Sequence, residues 1–193
     1  AAYEFCYQPT LWPKIDGFRK TWETYYAAME DLAERIMAAF AEALGLESSY
    51  FDSFIDNPIS ALRALHYPTT TDAIIEKQQR AGAHTDYGSL TILLPQVGTT
   101  GLQIKKKNSW IDVPVLEDCL IINIGDLMEL WTAGRWVSTL HRVIARPNQP
   151  PRKSLAYFHQ PNWDSTIKPI NSDIYGSVIS GPYLMNKFKS TNL

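Results

Sequence analysis

Residues 81–95 read AGAHTDYGSLTILLP, and the folding of this stretch decides how the rest of the chain is read. Apolar residues bounded by Gly and Pro favour a strand, and Ala83 to Leu94 is expected as one continuous run. In a strand, residues i and i+2 point to the same face. His84 and Asp86 would then project together, with Thr85 and Tyr87 on the other side. That geometry seats two ligands of one ion. With 4 histidines in 193 residues, a His-x-Asp tripeptide also arises readily by accident. The remaining chain has to supply a third ligand.

Working outward, the sequence after Pro58 consists of short apolar runs. They are Ser60 to Tyr67, Gly101 to Lys105, Trp110 to Val113, Leu120 to Ile124, Leu140 to Ala145 and Leu155 to His159. Turn signals such as VGTTG, KKNS and RPNQPP separate them, the texture of an all-β sandwich or barrel. Upstream, Phe18 to Leu44 carries apolar residues at spacings of three and four. This predicts a long helix packed on a sheet, with Asp16 as N-cap and Gly45 as its stop. A second, short helix is expected from Ser48 or Ser49, ending before Pro58. No linker divides the chain, so 1–193 reads as one domain. Its expected parts are a helical segment (1–57), a β-barrel or jelly-roll core (58–180) and a tail (181–193) with a helix around Tyr183 to Phe188.

Hydrophobic residues make up 45% and charged residues 20%, an ordinary globular balance. The net charge is -2 and the longest basic run is Lys105-Lys106-Lys107, which with Asn108-Ser109 reads as a hairpin tip. Nucleic-acid binding needs a broader basic face and is not expected. The longest uncharged stretch, Gly88 to Ile104, is broken by Pro95, Gly98 and Gly101, so no membrane span is expected. Cys6 and Cys119 cannot build a disulfide framework, and Cys119, opening CLIINIG, reads as a small buried hydrophobe. A reducing, cytoplasmic setting follows from this usage. The chain starts AAYEFCYQPTLWP without Met, and sequence upstream is expected to be missing.

Two further histidines, His141 and His159, lie downstream of Asp86 on other runs. His141 sits inside the strand-like STLHRVIA. Two imidazoles and a carboxylate on one face of an octahedron leave three positions open, which suits non-haem Fe(II). Further on, RKSLAYF places Arg152 and Ser154 on one strand face, a receptor for a carboxylate. A buried arginine there needs an anionic partner. Tyr67, in LRALHYP, is positioned to add a phenolic donor.

At this point HTDYGSLTIL, GLQI, IINIGDLMELWTAGRWVSTLHRV and RKSLAYFHQPNWDSTI together resemble the Fe(II)/2-oxoglutarate-dependent oxygenases. The subgroup is the one around isopenicillin N synthase. The resemblance runs from about Trp12 to Phe188 and implies a mainly β double-stranded β-helix (jelly roll) with flanking helices. It implies that His84, Asp86 and His141 bind Fe(II), and that Arg152, Ser154 and Tyr67 hold the distal carboxylate of 2-oxoglutarate. It also implies O2 as co-substrate, succinate and CO2 as products, and oxidation, in the first place hydroxylation, of a C–H bond in a small-molecule substrate. A small acid, an alkaloid, a terpenoid or a flavonoid-like ring would all fit. Phe158 and Trp163 are candidates for the substrate wall. The chain departs from the pattern at Leu65, where members usually carry Asn. Members also have roughly a hundred more residues upstream, a domain-scale segment.

Three other readings stay open. An oxidase of the isopenicillin N synthase type would use no 2-oxoglutarate, but its C-terminal glutamine ligand has no counterpart in KFKSTNL. A non-catalytic relative would bind neither metal nor co-substrate. A zinc hydrolase would leave Arg152 and Ser154 without a role. Outside the site, His66 reads as structural or surface. His159, on the strand face opposite Arg152 and Ser154, is not expected to bind metal. Asn123, Gly125 and Asp126 are expected to fix a turn, with Trp131, Arg135 and Trp136 packing around it.

Overall fold

The computed structural model describes residues 2–70, 75, 78–172 and 176–191. The helices are α1 (Ala2–Cys6), α2 (Phe18–Ala43), α3 (Asp126–Trp131) and α4 (Ser180–Thr191). The strands are β1 (Ala61–Tyr67), β2 (Gln79–His84), β3 (Leu90–Pro95), β4 (Leu102–Lys106), β5 (Ser109–Asp112) and β6 (Ile121–Ile124), then β7 (His141–Ile144), β8 (Arg152–His159), β9 (Thr166–Ile167) and β10 (Val178–Ile179). Two four-stranded antiparallel sheets result, ordered β1-β8-β3-β6 and β2-β7-β4-β5, the jelly roll expected from the resemblance.

Period-2 alternation divides the first sheet into two faces with different jobs. On β8, Tyr157 points outward and is fully buried in the core, 5.3 Å ring to ring from Tyr26 of α2. On β3, Leu90 and Ile92 join the same core. The stripe Met29, Ala33, Met37 and Ala41 of α2 covers this face, and Trp131 of α3 packs between Phe51 and Phe54. The opposite face, with Ser154 and Ala156, lines a cavity between the two sheets. Because the apolar core lies outside this sheet, its inner face is free to be polar.

The long helix, its packing on a sheet and the KKNS hairpin tip agree with the pattern in the sequence. At its end, Gly45 takes φ 76°, and Leu46 donates to the Ala41 carbonyl, a glycine-dependent helix stop. Its N-cap is Gly17 at φ 72°, not Asp16. The helix expected from Ser48 or Ser49 is a single 3-10 turn at Asp52–Phe54. Cys119 is exposed, not buried, because β6 begins only at Ile121 and the preceding residues form a turn. The turn expected at Asp126 opens α3, with Trp131 buried and Trp136 against Phe40. Arg135 is exposed. The largest difference is at Ala83 to Leu94, where β2 and β3 belong to different sheets and residues 85–89 cross between them.

Met37→Ala empties a fully buried site and should lower the unfolding free energy by about 2–5 kcal/mol in urea melts. Leu11→Ala, at a position 95% exposed, should stay within about 0.5 kcal/mol of wild type.

Candidate metal centre

His84 ends β2 and His141 begins β7, and the two are paired directly in register. Their ring centroids lie 4.3 Å apart. Asp86 does not share a strand with His84, the arrangement expected from the alternation, but lies in the crossing beyond. The crossing still turns its carboxylate inward, with Oδ1 3.8 Å from His141 Nε2. Ligand atoms of all three residues fall within 4.8 Å of one another. Thr85 and Tyr87 face away, towards Asp126 and Thr191.

The orientation of each group is set by a hydrogen bond. His84 Nδ1 lies 2.7 Å from the Gly82 carbonyl and His141 Nδ1 2.9 Å from that of Thr139. A proton on each Nδ1 donates to its carbonyl, and both Nε2 lone pairs are then left for an ion. Asp86 Oδ2 accepts from Thr91 Oγ1 at 2.7 Å and from Asn123 Nδ2 at 2.8 Å, leaving Oδ1 towards the histidines. Among the described residues no Lys or Arg pairs with this buried carboxylate. Two neutral imidazoles and one buried carboxylate fit a divalent ion with open positions.

The crossing is welded to α3. Asp126 N–H donates to the Asp86 carbonyl at 2.8 Å, Leu127 N–H to Gly88 at 3.1 Å, and Gly125 N–H to Ser89 at 3.1 Å. Donors that a helix start leaves unpaired are used here to hold the crossing that carries Asp86. The approach is so close that a Cβ on Gly125 would strike the Gly88 carbonyl, and one on Gly88 the His159 carbonyl. On the far side, Ser89 Oγ sits 2.6 Å from His159 Nδ1. Burial drives the His159 imidazole down to about 4, so it is neutral at physiological pH.

The cavity holds about 520 Å³, and its other end is cationic. Arg152 is 2% exposed and pairs in register with Tyr67, whose ring centroid lies 5.2 Å from the guanidinium carbon. Burial pulls the guanidinium below its ordinary value, partly offset by Tyr67. Ser154, two pairs further along and so on the same face, is buried opposite Leu65. No carboxylate among the described residues neutralises Arg152. Phe158 shares this face and lines the cavity in the row of Thr91 and Asn123, beside the metal end. Trp163 does not line it: its indole packs on Gly181 at the start of α4. His66 is exposed, and His159 points away.

Sequence reasoning missed four residues. Thr91 and Asn123 steer Asp86, and Arg63 and Arg80 line the cavity. Asn123 carried a signal, a polar residue inside the apolar run LIINIG, but only the β3–β6 pairing sets it beside Thr91.

The family model of the 2OG-Fe(II) oxygenase superfamily matches residues 58–161, and the chain belongs to this superfamily. Validamycin A dioxygenase of Streptomyces hygroscopicus subsp. limoneus is 34% identical over 183 residues, covering 91% of this chain and 50% of that protein. A full-length Neurospora crassa protein solved in complex with alpha-KG superposes with a TM-score of 0.89 at 35% identity, over 94% of this chain and 62% of that one. The structure of JOX2 with 2OG, Fe and JA gives 0.79 at 28% identity, over 92% and 54%. The chain spans about half the length of the curated relatives it matches.

Asn123→Leu keeps the volume but removes a donor to Asp86, and should weaken divalent-metal affinity about 10- to 100-fold in Mn(II) titrations, with the fold intact. His159 supplies a pH dependence. The unfolded imidazole takes a proton below about 6.5 and the folded one only below about 4. Stability is therefore fully present above pH 6.5 and is lost as pH falls through that window, by on the order of 3 kcal/mol. His159→Asn should shrink the loss between pH 7 and pH 4 by about that amount, read by denaturant melts at both pH values.

Proposed function

We propose that the chain is the catalytic part of a non-haem Fe(II)/2-oxoglutarate-dependent oxygenase that hydroxylates a C–H bond of a small organic substrate. The observation that carries this is one cavity with two unbalanced ends. A His84–Asp86–His141 donor set lies at one end, its carboxylate paired with no Lys or Arg among the described residues, and at the other lies a buried Arg152 that no described carboxylate neutralises. A dicarboxylic keto acid bound to a metal answers both needs at once.

His84, Asp86 and His141 would hold the iron, and Arg152, Ser154 and Tyr67 would hold the distal carboxylate of 2-oxoglutarate. Iron held there would supply the oxidising chemistry with O2, the co-substrate ending as succinate and CO2. The protein contributes placement. Thr91 and Asn123 fix which Asp86 oxygen faces the metal, and backbone carbonyls fix both histidine tautomers. Leu93, Ile121 and Phe158 form apolar wall that limits water near the reacting bond. Leu65 beside Ser154 leaves the co-substrate with one polar neighbour fewer than the family pattern provides. A cytoplasmic setting is supported by two free cysteines. Among the described residues no helix is long and apolar enough to cross a membrane.

Purified protein with Fe(II), ascorbate and 2-oxoglutarate should release succinate, faster with an accepted substrate. Asp86→Ala and Arg152→Met should each lower the rate at least about 100-fold. Oxidation independent of 2-oxoglutarate would instead indicate an oxidase. Iron and 2-oxoglutarate together leaving the Tm unchanged would indicate a relative that binds neither.

A further inference from the structure

Arg80 belongs to no role described so far, yet it is built into the cationic end of the cavity. It lies on β2 where the pairing with β7 slips between Gln79 and Ala81, an irregularity that redirects a side chain. One guanidinium nitrogen, Nη2, donates to the Pro68 carbonyl at 2.8 Å and to that of Pro150 at 3.2 Å. Pro68 follows Tyr67 and Pro150 lies two residues before Arg152, so the group is clamped between the two segments that carry the carboxylate receptor. Its other two nitrogens, Nε and Nη1, are buried and have no hydrogen-bond partner among the described residues. A buried donor left unpaired costs about 1–3 kcal/mol, and more when charged. Arg80 is also close enough to Arg152 for its charge to weigh against that of Arg152. Two guanidinium groups thus share a cavity end in which no described residue supplies a negative charge.

We propose that Arg80 is a second cationic holder of the co-substrate's distal carboxylate, acting beside Arg152. This deepens the 2-oxoglutarate reading and rests on it. A carboxylate has lone pairs enough for both guanidinium groups together with Ser154 and Tyr67. The carboxylate separates the like charges and satisfies the orphaned Arg80 donors in one event. Such a pair selects dicarboxylic keto acids over those that end in a methyl group.

The test is calorimetric binding with Mn(II) in the metal site, so that no turnover is needed. 2-Oxoglutarate is compared with 2-oxobutyrate, which shares the keto-acid end and lacks the distal carboxylate. Arg80→Met should raise the Kd for 2-oxoglutarate about 10- to 100-fold, the loss of one charge-assisted contact, and leave that for 2-oxobutyrate and Mn(II) unchanged. Arg80→Gln keeps donors for the Pro68 and Pro150 carbonyls and carries the same expectation if the Met variant does not fold. Arg80→Lys should fall between wild type and Arg80→Met. Unchanged 2-oxoglutarate affinity in a folded variant overturns the proposal while leaving the function standing. Equal losses for both keto acids also overturn it, by showing a structural role. Wild-type protein that binds no 2-oxoglutarate overturns the function and this proposal together.

Discussion

The structure depends on a chain crossing. Between His84 and Leu90 the backbone leaves one sheet and enters the other, and five residues have to make that passage without stranding their polar groups. The first N–H groups of α3 and the carbonyl of His159 meet the crossing from two sides. Both contacts are so close that Gly88 and Gly125 are the residues that fit. A crossing held this firmly gives Asp86 a fixed backbone. Thr91 and Asn123 then settle which of its two oxygens faces the histidines. The placement of Asp86 follows from this weld, whereas the β2–β7 pairing sets His84 beside His141.

The second constraint is the division of labour across the sheet β1-β8-β3-β6. A sheet that buried apolar side chains on both faces would leave no place for Arg152, a buried charge that is costly in apolar surroundings. Here α2, α3 and Phe51 take over the outer face, and the aromatic contacts between Tyr26 and Tyr157 and around Trp131 tie helix to sheet. Stability is gained on one face of each strand and chemistry is kept on the other. The cavity can then hold opposite charges at its two ends, neither neutralised by a charged side chain among the described residues.

Much of this was legible in the sequence, for definable reasons. The stripe of α2 repeats over 26 residues, long enough for its period to be unambiguous. Most strands appeared as apolar runs between turn signals, and His84, Asp86, His141, Arg152, Ser154 and Tyr67 are indeed drawn to one cavity. The misses share a cause. Cys119, Asn123, Arg80 and the break at residues 85–89 depend on where strands end and with which partner they pair, and neither is carried by local composition. Trp163 looked suited to a substrate wall by residue type, whereas its neighbour Gly181 decides that it packs on α4.

The opening stretch AGAHTDYGSLTILLP shows where the line falls. The sequence by itself determined that two ligand-type side chains lie one residue apart, with a third histidine and an Arg-x-Ser pair on later strands. Side-chain chemistry and period-2 alternation are local properties, and a sequence states them directly. Only the tertiary structure decided that the stretch is two strands in two sheets, and that Asn123 and Thr91 aim the carboxylate. It also set a second arginine beside the first. Those are contacts between residues distant along the chain, fixed by strand pairing and close backbone approach.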